Sequence, residues 1–222
     1  MPSPGNLATS QDRAAEWDPV YSIAPRTKAP VVREFVDDEG ELHRTLEMAR
    51  WGLHPSWAKD KGPRPINARL EMIATNGMFR DAYAKRRCLV PAVAFYEWKV
   101  LDGGKQPTAI APASGEAMAF AGIWESWRGE GDEVVRTFAV VTTEANEPMR
   151  AVHDRMPVIL APGDWAEWLE GDDPAALMRP APDDLLRLWP VSKMVNSPRN
   201  NGPELLAEHA PAPTGSGGPN PA

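Results

Sequence analysis

Glu97 is the residue whose setting in the sequence most strongly suggests chemistry. It follows an apolar run that begins near Arg87, and aromatic residues surround it at Phe95, Tyr96 and Trp98. A carboxylate among aromatic side chains loses hydration, which raises its pKa towards the range where a carboxyl group serves as a general acid or base. The alternative is a solvated glutamate on an edge strand, with the rings packed beneath it.

Two other stretches carry polar side chains that are suited to proton transfer or ligand binding beside such a carboxyl group. His153 starts a His-Asp-Arg-Met-Pro stretch that ends at Pro157, and an imidazole changes charge near neutral pH. Asn67 and Arg69 stand at the start of a predicted helix. The asparagine either caps that helix or points its amide at a ligand, with Arg69 gripping a phosphate. The alternative for His153 is an ordinary histidine of a surface loop, without a role in catalysis.

Cys88 is the only cysteine of the chain, so no intramolecular disulfide is expected. A Cys88–His153 pair would be a hydrolase arrangement, but a cysteine inside an apolar run more often packs as a small hydrophobic residue. The four histidines are scattered, and the sequence has no phosphate loop or dinucleotide fingerprint. We therefore expect no metal and no cofactor.

The elements that must position these residues are short and divided by many turns. The chain has 24 prolines and 17 glycines in 222 residues, a composition that disfavours a helical bundle. Period-two and apolar runs predict strands at 31–36, 42–51, 87–99, 118–127, 134–143 and 186–195, and helical spacing predicts helices at 68–75, 78–87, 164–170 and 174–178. The prediction is an α+β fold built on an antiparallel sheet or barrel with short peripheral helices.

Three segments follow from composition. Residues 1–20 form an N-terminal segment, partly disordered, with a short helix over 7–17, and residues 21–209 form one domain. Residues 210–222 are rich in Pro, Gly and Ser and are expected to be disordered. No apolar run is long enough to span a membrane and the N-terminus has no signal-peptide core, so we expect a cytoplasmic protein with no membrane partner.

The charge is acidic overall and basic in one stretch. A formal net charge of −7 argues against indiscriminate binding to nucleic acid. Between Lys59 and Lys99, however, nine Lys or Arg residues face four Asp or Glu residues. Such a segment fits one anionic ligand site or, equally, a solvated face. The nine tryptophans include candidates for stacking on a base.

Taken together, six motifs occur in a fixed order. They are Tyr-Ser-Ile-Ala-Pro at 21–25, Ile-Asn-Ala-Arg-Leu-Glu at 66–71, Arg-Cys-Leu-Val-Pro to Phe-Tyr-Glu-Trp-Lys at 87–99, Phe-Ala-Gly-Ile-Trp at 120–124, Val-Val-Thr-Thr-Glu-Ala-Asn at 140–146 and His-Asp-Arg-Met-Pro-Val-Ile-Leu at 153–160. With these motifs the chain, from Tyr21 to Glu204, resembles the SOS response-associated peptidase (SRAP) family of abasic-site processing proteins. The resemblance implies a β-rich domain, a monomer, that binds single-stranded DNA and single-strand/double-strand junctions in the DNA damage response and is nucleoid-associated when bound.

The resemblance also implies roles for individual residues. Family members expose a cysteine by autocatalytic removal of the initiator methionine, and its thiol and amino group form a thiazolidine crosslink with the abasic sugar. By motif, the catalytic residues are Asn67, which positions the cysteine or sugar, Glu97, the acid/base, and His153, which assists proton transfer. The implied DNA-binding residues are Arg69, Trp57, Thr142, Thr143, Ser192 and Asn196.

The N-terminus departs from the family pattern. Where the family has Met-Cys-Gly-Arg, this chain has Met1-Pro2-Ser3-Pro4, and Pro2 has no thiol with which to form a thiazolidine. Cys88 matches an internal family cysteine. Either the sequence starts downstream of the true start or covalent capture has been lost. A non-catalytic reader of single-stranded or gapped DNA is therefore the main alternative.

Overall fold

Twelve strands and a few short helices are found in the part of the chain that the structure describes. The structure is a computed structural model that describes residues 11–12, 18–59, 61–129 and 133–209. The strands are β1 (Gln11–Asp12), β2 (Lys28–Val36), β3 (Leu42–Trp51), β4 (Asn67–Arg69), β5 (Arg87–Ala92), β6 (Phe95–Leu101), β7 (Gly104–Pro112), β8 (Met118–Arg128), β9 (Val134–Glu144), β10 (Arg155–Pro157), β11 (Ile159–Leu160) and β12 (Leu186–Pro190). The α-helices are α1 (Leu70–Ile73), α2 (Arg80–Lys85), α3 (Glu147–Arg150) and α4 (Trp165–Glu170). Single 3-10 turns span Pro162–Asp164, Pro174–Leu177, Lys193–Asn196 and Pro203–Leu206.

A closed five-stranded barrel forms the centre of the molecule. Strands β3, β2, β5, β8 and β9 pair antiparallel in that order, and β9 closes the barrel by pairing parallel with β3. Closure removes the free edges that an open sheet would expose. The short strands β1, β4, β10 and β11 pair with the outside of this barrel. The predicted α+β fold built on an antiparallel sheet or barrel is confirmed.

The single strand predicted at 87–99 is wrong: the chain forms β5 over Arg87–Ala92 and β6 over Phe95–Leu101, and the two strands belong to different sheets. Strand β5 is buried on both faces, as its continuous apolar run predicts. Leu89 packs into one apolar cluster, beneath the helices, while Cys88 and Val90 pack into a second one on the other side of the sheet. The neighbouring strand must come close to this second face: a Cβ atom at Gly122 would lie only 2.8 Å from Cys88 Sγ. A glycine at this position in β8 therefore lets the two strands pack.

Helix α4 is fixed onto the barrel by polar contacts as well as apolar ones. The indole N–H of Trp168, a fully buried side chain, donates to the Cys88 carbonyl over 3.0 Å. Arg87 donates to backbone carbonyls around the end of the helix, among them Gly171 O at 2.7 Å. These carbonyls have no partner within the helix, so the arginine acts as its C-terminal cap.

A second, three-stranded sheet lies beside the barrel, in the order β12-β7-β6. Phe95 at the start of β6 packs both into a barrel cluster and into the cluster formed by α3, β10 and the second sheet. The apolar contact between these layers sets the position of β6, which carries Glu97, relative to β9 and β10.

Several predicted boundaries move for identifiable reasons. The helix predicted at 68–75 begins only at Leu70, because residues 67–69 pair with β9. The helix predicted at 78–87 shortens to Arg80–Lys85, and the last strand ends at Pro190 instead of 195. Gln11–Asp12 form a strand with β3, so the helix predicted over 7–17 is wrong at these two positions; the remaining residues of 1–17 and the predicted tail 210–222 lie outside the described residues. Among the described helices none has the length and apolar character needed to cross a bilayer.

Candidate active site

Strand β4 presents Asn67 and Arg69 on the outside of the barrel. It pairs parallel with the second half of β9, in a register that places Asn67 opposite Val140 and Arg69 opposite Thr142. Ala68, between them, is fully buried, and the two polar residues on either side of it are exposed. This is the period-two alternation of a half-buried strand. The N-cap position of α1 is Arg69, so the interpretation of Asn67 as a helix cap is wrong.

The loop between β9 and β10 carries His153 in a fixed frame. Asn146 caps α3 by accepting from Met149 N over 3.2 Å, and its amide group donates to the carbonyls of Ala181 and Pro182 at 3.1 and 3.2 Å. At the other end of the loop, His153 N donates to Met149 O over 2.9 Å, and Ala145 N donates to Asp154 O over 3.0 Å. These bonds close the loop on itself.

Strand β6 brings Glu97 to this loop from the second sheet. Successive side chains of a strand point to opposite faces, and Tyr96 and Trp98 pack with Ala109 and Val191 on one of these faces. Their polar groups are also engaged there: Tyr96 OH donates to Tyr21 O, and Trp98 Nε1 donates to an asparagine of the 3-10 turn after β12. Glu97 points to the other face. The rings on either side of it in sequence therefore do not enclose it.

Burial nevertheless raises the pKa of the Glu97 carboxyl group above its ordinary value, which is the predicted direction. The positive charge of His153 and the backbone N–H of Trp98 oppose this effect, and the negative charge of Asp154 adds to it. Glu97, His153 and Asp154 thus form one electrostatic group drawn from two sheets. A raised pKa brings a carboxyl group closer to the range in which it can donate a proton and take it back.

Arg155 is a residue of this region to which the sequence interpretation gave no role. Its guanidinium group reaches the carboxylate of Glu71 through two hydrogen bonds, of 2.6 and 3.0 Å, and donates to Thr142 O over 2.8 Å. This ion pair lowers the pKa of Glu71. The sequence did contain a signal for Arg155, because this residue follows His153 by two positions in the same motif. Arg155 ties α1 to β9 beside Arg69.

The other predicted DNA-binding residues lie in varied settings. Trp57 is 65% exposed in the loop before β4. Thr142 and Thr143 are buried in β9. Ser192 caps the 3-10 turn that follows β12, and the Asn196 side chain accepts from an indole N–H over 2.7 Å. Asn67 and Arg69 lie beside β9 through the pairing of β4, and Glu97 lies within electrostatic range of His153 in the loop after β9. The catalytic and DNA-binding roles stay predictions.

Cys88 does not fit the role of a nucleophile. Its side chain is fully buried in β5, and burial raises the pKa of its thiol far above the usual range. A reactive cysteine needs the opposite, a lowered pKa and access to substrate. The Cys88–His153 hydrolase hypothesis is therefore contradicted by the structure.

A possible set of metal ligands among the described residues lies elsewhere. Asp37, Glu41 and His43, in the turn between β2 and β3, have ligand atoms within 4.8 Å of one another. The Asp37 carboxylate is already bonded to His43 and to the backbone N–H groups of Glu39 and Glu41. This hairpin contributes no residue to the site around Glu97.

The fold and the site together define a β-barrel protein with a half-buried carboxyl group, an imidazole and an amide next to exposed arginine. Comparison with known families identifies the class: the model of the SOS response associated peptidase (SRAP) family matches residues 4–198. The chain belongs to this family.

Relatives and solved structures agree. The chain is 40% identical over 202 residues to the abasic site processing protein YoqW of Bacillus subtilis (strain 168), across 87% of this chain and 88% of that protein. It is 31% identical over 224 residues to the abasic site processing protein HMCES of Xenopus tropicalis, across 86% of this chain and 67% of that protein. A Bacteroides thetaiotaomicron protein of 23% identity has the same fold, with a TM-score of 0.74 over 83% of this chain and 82% of that one.

Proposed function

We propose that this protein binds abasic sites in single-stranded DNA and at single-strand/double-strand junctions, acting as a monomer, and processes the abasic sugar at Glu97. Two observations support the proposal: β4, which carries Asn67, pairs with β9, and Glu97 of β6 lies within electrostatic range of His153 in the loop that follows β9. Relatives named abasic site processing proteins share most of its length.

DNA binding is assigned to the surface that β4 presents. Arg69 is exposed next to the site and is suited to hold a phosphate, while Asn67 offers an amide to the sugar or to an attacking group. Trp57, the most exposed tryptophan among the described residues, would stack beside the missing base. Local cations at one site reconcile DNA binding with the net charge of −7.

The chemistry is assigned to Glu97. Its raised pKa favours the protonated form, which donates to the ring oxygen of the sugar while the C1 hydroxyl loses its proton to solvent and the ring opens to the aldehyde. The resulting carboxylate accepts a proton from an amine as it adds to the aldehyde. It then returns that proton to the carbinolamine hydroxyl group, which leaves as water when the imine forms. His153 assists proton transfer and donates a hydrogen bond to the opened sugar.

Covalent capture and the associated peptidase activity require an amine and thiol at the chain start in the family. Residue 2 of this sequence is Pro2, whose secondary amine has no thiol beside it. The proposal covers recognition and acid/base processing, and crosslinking requires in addition a cysteine with a free amino group.

The first test is binding. Fluorescence anisotropy should show tighter binding to a single-stranded oligonucleotide with one tetrahydrofuran abasic analogue than to the same strand with an intact base or to its duplex. Equal affinity for all three would reject abasic-site recognition.

The second test is a denaturing gel after incubation with DNA that carries a natural abasic site. It compares the chain as given with a variant whose start is replaced by Met-Cys-Gly-Arg. A crosslinked band from the variant alone supports an intact site that lacks its nucleophile. Binding without strand cleavage or crosslinking in either protein would instead establish a non-catalytic DNA reader.

A further inference from the structure

The turn before β2 holds an arginine in a backbone conformation that arginine rarely adopts. Thr27 N donates to Ala24 O over 3.2 Å, and Arg26 has a φ of 76°. With Pro25 before it, this is the geometry of a type II turn, whose third position normally requires glycine or asparagine. Among the described residues, Arg26 is the only one other than glycine with a positive φ. The fold thus accepts backbone strain in order to keep an exposed cation at this position.

Two more cations follow at an unfavourable spacing. The ladder between β2 and β3 places Lys28 directly opposite Arg50, and like charges in such a pair are destabilising. Within the described part of the chain, no side chain forms an ion pair or hydrogen bond with Arg26, Lys28 or Arg50. We call these three residues the basic rim. Neither its strain nor its charge repulsion is offset by a side-chain contact with the described residues.

The surface around the basic rim is concave and close-packed. A Cβ atom at Gly52 would lie only 3.4 Å from Cδ of Arg26, so the side chain of Arg26 passes over this glycine. Arg50 lines a small surface depression next to it, and none of the described residues that line this depression is acidic. They are Arg50, His54, Arg64, Trp127, Val135 and Thr137.

The basic rim lies close to the residues assigned to DNA binding. Arg50 pairs with Thr137 of β9, and Asn67 pairs with Val140 of the same strand. Three residues of a strand span about 10 Å, which corresponds to about three nucleotides at the rise of B-form DNA. Trp57 belongs to the loop that connects β3, which carries Arg50, to β4, which carries Asn67.

We propose that the basic rim is a second phosphate-binding surface, which holds the backbone of the same DNA strand a few nucleotides beyond the abasic site. This inference rests on the proposed function and extends it. Phosphates between Lys28 and Arg50 would remove the repulsion between these side chains, so a cost in the free protein becomes a gain in the complex. Such contacts position the strand and do not depend on its sequence.

Arg26→Gly separates the charge of this residue from its backbone strain. Glycine adopts a positive φ without a steric cost, so the melting temperature of the variant should stay the same or rise. Its affinity for the single-stranded tetrahydrofuran oligonucleotide should nevertheless fall about threefold, because one phosphate contact is lost. Arg26→Lys keeps the charge and should keep most of the affinity. A structural role alone would not produce weaker binding in an equally stable protein.

Anisotropy titrations at several salt concentrations test the whole surface. Arg26→Gly, Lys28→Gln and Arg50→Gln should each reduce the salt slope of the affinity by about 1. Arg80→Gln is the matched control, because this exposed arginine is paired with Asp81 at the start of α2. Wild-type affinity and salt slope in all three rim variants, or the same losses in the control, would overturn the proposal.

The length of the oligonucleotide separates a distant phosphate contact from a disturbance of the site itself. Two shortened strands keep one nucleotide on the 5′ side or one on the 3′ side of the analogue. One of them should no longer reach the basic rim, and wild type and rim variants should bind that strand equally. Equal losses on the full strand and on both shortened strands would overturn the proposal.

The same titrations distinguish this inference from the proposed function. A wild type that prefers the abasic analogue, with rim variants that bind as it does, rejects the basic rim alone. A wild type without that preference, with weaker binding in the rim variants, rejects abasic-site recognition and supports the basic rim. A wild type that binds no DNA rejects both.

Discussion

At the residue scale, the site depends on how burial and charge balance at Glu97. Burial is the largest influence on the pKa of Glu97, and its raising effect exceeds the lowering effects of the His153 charge and the Trp98 backbone N–H. The same physical argument was available from the sequence, but two of the three aromatic neighbours it named lie on the wrong face. Tyr96 and Trp98 pack on one face of β6, whereas the alternation of side chains places Phe95 and Glu97 on the other.

Glu97→Gln should remove processing without removing binding. The amide cannot donate and take back a proton, so we expect strand processing or crosslink turnover in the Met-Cys-Gly-Arg variant to fall about 100-fold or more, with DNA affinity changed by less than about threefold. Single-turnover gel assays and anisotropy measure the two. Glu39→Gln in the β2–β3 turn is the matched control. Full activity in Glu97→Gln would remove Glu97 from the mechanism.

The pH profile of the same reaction should have a defined direction. If the protonated Glu97 opens the sugar ring, the rate falls as pH rises through the raised pKa of this group. Asp154 raises that pKa, so Asp154→Asn should move the falling limb to lower pH. The rate is measured at constant ionic strength, and a limb that stays in place in Asp154→Asn would contradict the coupling.

Arg69→Gln should weaken DNA binding by roughly 5- to 10-fold and reduce the salt slope of the affinity by about 1, which is the signature of one lost phosphate contact. The control is Arg80→Gln, an exposed arginine paired with Asp81 at the start of α2. Anisotropy titrations at several salt concentrations give both slopes. Equal losses in the two variants would mean that only the overall charge matters.

At the scale of elements, the β9–β10 loop holds His153 through a buried asparagine. Asn146 is 5% exposed and connects the cap of α3 to the backbone of Ala181 and Pro182. Its loss would leave the buried Ala181 carbonyl oxygen and the buried Met149 N–H without these partners, which is more costly than the loss of an exposed cap. The position of the imidazole thus depends on a residue that itself performs no chemistry.

Asn146→Ala should lower the free energy of unfolding by about 2–3 kcal/mol, whereas Ser192→Ala, the exposed cap of a 3-10 turn, should cost about 1 kcal/mol or less. Urea unfolding measures both. We also expect Asn146→Ala to speed amide hydrogen exchange in residues 146–154 selectively. A stable variant with unchanged exchange would show that the loop does not depend on this side chain.

At the scale of the whole molecule, a second carboxyl group couples a helix to the barrel. Glu34 of β2 has a side chain only 6% exposed, and its Oε1 is bonded to Arg44. Its Oε2 is buried and has no hydrogen-bond partner among the residues that the structure describes. Burial, and then the neighbouring carboxyl group of Glu170 in α4, raise the pKa of Glu34 to about 7, against the opposing effect of Arg44. A proton on Glu34 therefore belongs to the most stable folded form.

The sign of the pH dependence follows from this pKa. Between pH 4.5, the ordinary pKa, and about pH 7, the folded state keeps a proton on Glu34 that the unfolded state releases. The stability that this proton contributes is therefore complete below pH 4.5 and is lost as pH rises through about 7. We expect the difference in unfolding free energy between Glu34→Gln and wild type to shift by about 2 kcal/mol in favour of the variant across this window. Parallel stability profiles would contradict it.

The sequence by itself determined the fold class, the buried strand at β5 and the ordered motifs that carry Asn67, Arg69, Glu97 and His153. Hydrophobic periodicity and turn residues encode these features locally. It misplaced the helix boundary at residues 67–69 because pairing with β9 overrides local helical spacing. Local pattern also made the Cys88–His153 pair conceivable until burial excluded it.

Only the tertiary structure decided which side chains meet. Closure of the barrel and the packing of the second sheet bring β4, β6 and the β9–β10 loop together, and these contacts join residues far apart in the chain. The positions of Asn146 and Arg155 depend on hydrogen bonds whose geometry no local pattern specifies. The sequence encodes the chemical groups, and long-range packing sets their burial and mutual distances, on which their pKa values depend.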